Sequence, residues 1–285
     1  MKKIISLTLV AIMLVASVFC FAACRDKEDV VDYVKIKLTD EQYAYGVNKN
    51  DPALLATVNS VLAELKTTGE LDKIVNKYFS GDKENIKTFD AGKEDTSKNQ
   101  LVVATNTPFS PFEYKTGDKY CGIDIEIEIA ALIAEEMGAE LVIKDMNFDA
   151  VLTAVETGKA DIVMAGLTVS EEREEQVTFS DTYYNASQVL IVKAGDTTFA
   201  DCKTVADVEA KLNAMNKDTI IGYQNGTTGG LYVEGDADWG FAGFPVTAKG
   251  YDSAVSATQA LVNGQIDFVM VDEGPAQIIV KSMNE

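Results

Sequence analysis

The sequence predicts an α/β fold built as two lobes, with mostly parallel strands and helices on both faces. Three observations lead there. At 285 residues the chain can form two lobes of ordinary size. From Leu101 onward, apolar runs of strand length alternate with stretches of helical periodicity, the pattern of parallel βαβ units. Finally, Ala154-Val155-Glu156-Thr157-Gly158-Lys159-Ala160-Asp161-Ile162-Val163-Met164 returns as Ala260-Leu261-Val262-Asn263-Gly264-Gln265-Ile266-Asp267-Phe268-Val269-Met270, with Ala, Gly, Asp, Val and Met in register at a constant offset of 106. Each copy is a helix end, a glycine stop and a strand. Units of this kind also resemble one another by chance, but equivalent strands in two lobes would account for the register.

The first 24 residues read as a targeting segment rather than as part of the fold. Lys2 and Lys3 precede an uncharged apolar run, Ile4 to Ala23, which ends Phe21-Ala22-Ala23-Cys24 and meets Arg25-Asp26-Lys27-Glu28-Asp29. Small residues before a cysteine resemble a bacterial lipoprotein signal, with 1–23 removed and Cys24 acylated. An uncleaved membrane anchor is the other reading, since about 20 apolar residues can span a bilayer. Either way the rest of the chain works outside the cytoplasm.

Residues 24–32 then form a charged tether. Tyr33 to Leu38 and the stretch around Tyr43 to Val47 predict strands. Asp51-Pro52 opens a helix with proline at its first position, Leu54, Leu55, Val58, Val61, Leu62 and Leu65 keep helical spacing, and Gly69 ends it. A second short helix carries Leu71, Ile74, Val75 and Tyr78. Residues 80–100 are polar and predict a linker, long for a compact domain at about 20 residues. Leu101 to Thr105 predicts a strand. Ile123 to Ile129 alternates as a strand would, yet Ile125, Ile129, Leu132, Ile133 and Met137 share a helical face, so a helix is predicted from about Asp124 to Gly138.

Composition excludes much. A formal net charge of −20 argues against nucleic acid and anionic membrane surfaces as partners. The chain has no histidine, which removes histidine-based triads, histidine acid–base chemistry and most transition-metal sites. Neither a metal nor a cofactor is expected. With Cys20 lost in the signal and Cys24 lipidated, Cys121 and Cys202 remain, expected as unpaired and mostly buried thiols.

The chemistry concentrates after the two echoed strands, at Gly166 and Asp272, because ligands of open α/β sheets bind outside the carboxyl ends of strands. Ala165-Gly166-Leu167-Thr168-Val169-Ser170-Glu171-Glu172-Arg173 is a small-residue turn leading into a capped, acidic helix start. Exposed N–H groups there suit an anion, and Arg173 can grip a carboxylate bidentately. An ordinary surface helix with an ordinary arginine is the bland alternative. Asp272 would bring a carboxylate from the other lobe, and a cation and an anion facing across a cleft suit a zwitterion: Arg173 for an α-carboxylate, Asp272 for an α-ammonium. Gln224-Asn225-Gly226-Thr227-Thr228-Gly229-Gly230, after a strand from Asp218 to Tyr223, offers hydroxyls and N–H groups to the same carboxylate. Phosphate fits poorly: the P-loop lysine is missing and the dinucleotide glycine spacing is not met. Phe109 and Phe148, in loops after strands, can wall a side-chain pocket with Asn106 as its polar contact; Phe112 reads as core.

These stretches carry a resemblance. Leu101-Val102-Val103-Ala104-Thr105-Asn106, Pro111-Phe112-Glu113-Tyr114, Gly122-Ile123-Asp124, Ala165-Gly166-Leu167-Thr168, Glu172-Arg173, Phe179-Ser180-Asp181, Gly226-Thr227-Thr228-Gly229 and Val271-Asp272 resemble the amino-acid-binding proteins of bacterial ABC importers, the polar amino acid group. The resemblance implies a two-lobe periplasmic-binding-protein-like fold. It implies that Ala165, Gly166, Thr168, Arg173, Thr227, Thr228 and Asp272 hold the backbone end of an amino acid, and that Asn106, Phe109 and Phe148 surround its side chain.

The order of parts departs from the family. Residues 42–79 resemble the family's C-terminal tail but precede the region that normally comes first, which implies a circular permutant joined through 80–100. Lobe 1 is then 40–190 and lobe 2 comprises 33–39 and 191–285, with a hinge of two crossovers near Leu38-Thr39 and Lys193-Ala194. A fragment of a tandem array, or exchange of the segment between two chains, would give the same order.

The expected function is a lipid-anchored, monomeric receptor outside the cytoplasm that closes on a free L-α-amino acid and delivers it to an ABC permease. Asn106 with Phe109 and Phe148 suits glutamine, cystine or another polar amino acid. No enzyme is expected; the alternatives are a dehydratase-type enzyme on this scaffold, for which no proton-transfer group is available beyond the committed Asp272, and a ligand sensor module.

Overall fold

A computed structural model describes residues 28–80, 86–123 and 129–285. The targeting segment, Cys24 and the ambiguous stretch 124–128 lie outside the described residues.

The core is divided between two five-stranded sheets; a hairpin of β5 (Tyr114–Thr116) and β6 (Lys119–Cys121) stands outside both, and helices α6 (Val205–Asn213) and α8 (Ala254–Val262) belong to lobe 2. In lobe 1 the strands are β3 (Gly46–Asn48), β4 (Gln100–Thr105), β7 (Glu140–Asp145), β8 (Ile162–Val163) and β9 (Val177–Phe179), in the order β7-β4-β8-β3-β9. Lobe 2 contains β1 (Val31–Tyr33), β11 (Gln188–Lys193), β12 (Ile220–Gln224), β13 (Thr247–Tyr251) and β14 (Phe268–Asp272), in the order β13-β12-β14-β11-β1. The two orders correspond strand for strand. In each, three parallel strands are followed by two that run antiparallel to their neighbours. The echoed strands β8 and β14 occupy the third place in their sheets, as the repeat requires.

Helices pack on these sheets for reasons visible in the chain. Helix α1 (Pro52–Thr68) starts on Asp51, whose carboxylate accepts the Leu54 N–H at 2.9 Å, and stops at Gly69 in the left-handed conformation at φ 72°. Its buried face, Leu54, Val58, Val61, Leu62 and Leu65, joins Leu101, Val103 and Ile133 in the largest apolar cluster. Helix α2 (Glu70–Ser80) adds Leu71, Ile74 and Tyr78. Helix α3 (Ile129–Glu136) carries the helical alternative for the ambiguous run as far as the described residues go. The segment 46–80 thus docks onto lobe 1 within its own chain, with β3 inserted between β8 and β9.

Between the lobes, β2 (Glu41–Tyr43) pairs antiparallel with β10 (Tyr184–Ala186). This small sheet is where the chain crosses from lobe to lobe. The crossover expected near Lys193-Ala194 is therefore misplaced: Gln188–Lys193 is already an interior strand of lobe 2, paired on both sides.

Three further expectations need correction. The strand expected from Tyr33 to Leu38 is Val31–Tyr33, paired with Ile191–Lys193. Val34, Ile36 and Leu38 face the lobe 2 core, and the Val34 and Leu38 N–H groups donate to Leu190 O and Gln188 O at 2.8 and 2.9 Å, so the stretch follows β11 beyond the regular ladder without continuing it as a strand. The tether consequently ends before Val31, where the Asn284 carboxamide accepts the Val30 N–H and donates to the Val31 carbonyl, both at 2.9 Å. The single stretch expected around Tyr43 to Val47 is two strands in different sheets, β2 and β3.

The linker also has structure. Phe89 exchanges backbone hydrogen bonds with Tyr120 at 3.0 and 2.8 Å, and Ile143 N–H donates to Ala91 O at 2.7 Å. Gly92, at φ 72°, lies so close to β7 that a Cβ would sit 2.7 Å from Leu141 O. The polar linker covers the edge strand of lobe 1, which would otherwise present unpaired backbone groups. Cys121 is buried, Cys202 is half-buried, and both are free thiols.

Candidate functional site

The lobe 1 side of the cleft begins just past β8. Gly166 has φ 55°, and a Cβ there would meet the Phe109 ring at 2.6 Å, so glycine is required by both backbone and space. The chain then turns at Thr168, and the Ser170 hydroxyl caps the single helical turn α5 (Glu171–Glu174) by accepting the Arg173 N–H at 3.2 Å. Capping fixes the turn so that the Arg173 side chain enters the cleft, where it is 5% exposed. Its Nη1 donates to Thr168 O at 2.8 Å and its Nη2 crosses to lobe 2, donating to Gly226 O at 3.1 Å. The guanidinium lies between two rings, 5.7 Å from Phe148 and 5.2 Å from Trp239. Burial pulls its pKa down to about 10, resisted by the charges of Glu41, Glu172 and Asp272, so it stays cationic at neutral pH. A guanidinium has five N–H donors, and the two carbonyls leave others able to meet a carboxylate.

Lobe 2 supplies the opposite charge. Asp272 is the last residue of β14 and precedes α9 (Glu273–Asn284), but its carboxylate does not cap that helix. Instead Oδ1 accepts from Tyr43 Oη at 2.6 Å and from Gln188 Nε2 at 3.0 Å. Burial, with the nearby charge of Glu41 as second cause, pushes the Asp272 pKa up to about 7; the Tyr43 and Gln188 hydrogen bonds oppose the shift. Tyr43 is pushed well above the usual phenol range, chiefly by burial.

Glu41 is a residue that sequence reasoning missed. It is 5% exposed, on β2. Oε1 accepts from Thr39 Oγ1 at 2.6 Å and from Gln188 Nε2 at 3.1 Å, while Oε2 accepts from Thr168 Oγ1 at 2.8 Å. A glutamate in a polar stretch reads as surface. The usable signal was its spacing of two from Tyr43, which puts both side chains on one face of a strand.

The third wall follows β12. Gly226 turns the chain at φ 75°, and Thr227 precedes α7 (Thr228–Glu234), its Oγ1 donating to Gln224 O at 2.7 Å. The two glycines after Thr228 serve packing: a Cβ at Gly229 would lie 2.8 Å from Gln188 Oε1 and one at Gly230 2.6 Å from the Tyr223 ring.

Phe109, Phe148, Gly166, Thr168, Arg173, Thr227, Thr228 and Asp272 line one narrow cleft with Gln224. Phe148 opens helix α4 (Phe148–Glu156). Two expected residues stand apart from the lining. Ala165 is buried in the lobe 1 apolar cluster. Asn106 spends its carboxamide on Met146 O at 2.6 Å and on Gln224 Nε2, whose donor comes from lobe 2 at 2.6 Å. Besides Glu41, sequence reasoning did not find Gln188, Tyr43 or Trp239, and it named Gln224 only as the start of the segment that carries Thr227 and Thr228. Among the described residues no cluster of acidic, cysteine or histidine side chains could hold a metal, and no helix is long and apolar enough to cross a membrane.

Two α/β lobes joined by crossing strands, with a buried cation and a buried carboxylate brought to one cleft from opposite sides, define a hinged cleft-binding protein. The sequence pattern of the bacterial extracellular solute-binding proteins, family 3, matches residues 5–81 and 101–224, and the chain belongs to that family. ABC transporter arginine-binding protein 1 of Escherichia coli (strain K12) is 30% identical over 187 residues, 66% of this chain and 68% of that protein. The arginine-binding extracellular protein ArtP of Bacillus subtilis (strain 168) is 37% identical over 99 residues, 35% of this chain but only 38% of ArtP. An ancestral arginine-binding protein, solved with glutamine bound, superposes with a TM-score of 0.53 and 34% identity, over 65% of this chain and 74% of its own.

Proposed function

We propose that this chain is a receptor outside the cytoplasm that binds one L-α-amino acid between its lobes and hands it to an ABC importer. The observation that carries the reading is the convergence of Arg173 and Asp272, from opposite lobes, on one enclosed cleft. Arg173 meets the α-carboxylate and Asp272 the α-ammonium, with Gly166, Thr168, Thr227 and Thr228 around them. Closure of the lobes buries the ligand and forms the surface an importer recognises. Phe109 and Phe148 flank the side chain. Asn106, engaged with Gln224 across the cleft, acts on ligand ranking through that partner. Relatives that bear the name of arginine, and a neighbour that holds glutamine, put those two first among candidate ligands.

The test is a thermal-shift screen of residues 25–285 against the common L-amino acids. A ligand at a thousandfold excess over its Kd raises stability by about 4 kcal/mol. A selective rise with one or a few amino acids is expected; Arg173→Ala should abolish it for all of them, and Asn106→Ala should reorder them. A cooperative melt that ignores every amino acid, or normal binding by Arg173→Ala, defeats the assignment.

Two finer elements belong to the same reading. Acylation of Cys24 would hold the receptor at the membrane surface, supported by the basic start, the apolar run and the small residues before the cysteine. The chain order is circularly permuted, supported by the two separated stretches that match the family pattern, by the quarter or so of the solved neighbour outside the superposition, and by the segment 46–80 docking in its own lobe.

A further inference from the structure

The loop between α7 and β13 does more than connect them. Asp236 and Phe241 exchange backbone hydrogen bonds at 2.9 and 2.8 Å, and the Asp236 carboxylate accepts the N–H groups of Asp238 and Trp239 at 2.9 and 3.1 Å. Gly240 turns the tip at φ 71°, and at the base Gly243, at φ 69°, approaches so closely that a Cβ would sit 2.5 Å from Glu234 O. Phe241 packs edge-on against Tyr232 with centroids 5.1 Å apart. The loop is a folded unit fixed to lobe 2, and it carries an aromatic side chain to lobe 1.

That side chain is Trp239, the single tryptophan of the chain. Its ring covers the Arg173 guanidinium at 5.2 Å, on a cation that Phe148 meets at 5.7 Å from within lobe 1. Its Nε1 donates to Glu172 Oε2 at 2.9 Å, one residue before the arginine. We propose that Trp239 is a positioning residue for the recognition arginine: when the lobes close, the indole seats on the Arg173 guanidinium and on Glu172, holding the arginine in its binding orientation and slowing ligand release. The inference rests on the amino-acid-receptor reading given above and adds to it a residue from the opposite lobe.

The physical argument is desolvation. A cation withdrawn from water keeps attraction to an aromatic face, and that attraction grows as the site dries. Arg173 has one such face always, from its own lobe, and gains the second only in the closed arrangement. The Gly226 carbonyl is its other link to lobe 2, but a backbone link holds one N–H and leaves the plane of the guanidinium free to tilt. A ring laid over the plane removes that freedom. The result falls on the closed complex and not on the encounter with ligand.

The experiment measures association and dissociation rates of the amino acid found in the screen, using radiolabelled ligand. Wild type is compared with Trp239→Phe, Trp239→Ala and Glu172→Gln. Trp239→Ala should dissociate faster by about tenfold, the equivalent of a cation–π contact of intermediate strength, with its association rate changed less than twofold. Trp239→Phe keeps a ring and loses the N–H donor, so it should fall between, and Glu172→Gln should behave like it. Emission of the lone tryptophan in wild type should change on ligand addition. Wild-type dissociation in Trp239→Ala, or a loss that appears only in ligand-free melting temperature, overturns the inference while leaving the receptor intact. Absence of binding by wild type overturns the receptor reading itself and this inference with it.

Discussion

Asp272 sits between two demands. In the proposed receptor it must be a carboxylate to hold an ammonium, yet burial and the neighbouring Glu41 favour its protonated form, raising it from 3.8 to about 7. The folded, ligand-free protein therefore binds more protons than the unfolded chain between about pH 4 and 7. Its stability contribution from this group is complete below that window and is lost as pH rises through it. A ligand ammonium reverses the balance by favouring the ionised form. Binding at pH 6 should thus release a proton, and affinity should climb from pH 5 to 7.5. Calorimetry in two buffers of different ionisation heat checks this; equal heats would show that Asp272 is already ionised. Glu41→Gln removes the second cause of the shift and should shrink the release. Asp272 itself could be found in the sequence because it ends an echoed strand. Its neighbours could not: Gln188 and Glu41 are polar residues whose burial depends on the hinge strands meeting, and local pattern carries no trace of that meeting.

The echoed units show how a repeat earns its register. Gly158 and Gly264, at φ 70° and 72°, end their helices in the left-handed conformation. Three residues on, Asp161 and Asp267 each pair with the start of the neighbouring parallel strand. Asp161 N–H donates to Val102 O at 2.8 Å while its carboxylate accepts Val102 N–H at 2.7 Å; Asp267 does the same with Ile220 at 2.9 and 2.8 Å. The aspartate extends the ladder by one bond that the backbone cannot make. Asp161 is half-buried and Asp267 is exposed, so water can replace the second carboxylate more readily than the first. Asp161→Ala should cost about 1–2 kcal/mol and Asp267→Ala about 0.5 kcal/mol or less; equal losses in denaturant melts would contradict this account. At this scale much was legible, because capped and glycine-ended helices such as α1 announce their own limits. The misread pieces, 33–38 and 43–47, lie near the hinge, where a buried stretch can follow a neighbour through isolated backbone hydrogen bonds without a regular ladder and a three-residue strand is fixed by its distant partner.

For the molecule as a whole, the order of parts is separable from the cleft they build. β3, α1 and α2 pack in lobe 1 through contacts that do not depend on which end of the chain carries them. A rearranged chain that starts near Lys87 and carries residues 28–80 after Glu285 keeps β1 and the segment that covers β7, and should bind the same amino acid and melt within a few degrees of the original, as ligand-dependent melts would show; failure to fold would mean the present order is essential to the fold. The division into two lobes was readable from alternation, length and the echo. The placement of the crossover was not, since Gln188–Lys193 looks the same as a hinge or as an interior strand until its neighbours on both sides are known.

Every strand of the lobe 1 sheet lies between Gly46 and Phe179, whereas the lobe 2 sheet draws β1 from the start of the fold and its remaining strands from Gln188 to Asp272. During synthesis a chain emerges from its N-terminus, and domains generally fold as units in that order. Lobe 1 can complete its sheet while lobe 2 is still incomplete, with β1 waiting until β11 follows about 150 residues later. Vectorial emergence thus meets one lobe as a continuous piece and leaves the longest loop closure, and the assembly of the cleft, to the last part of the chain.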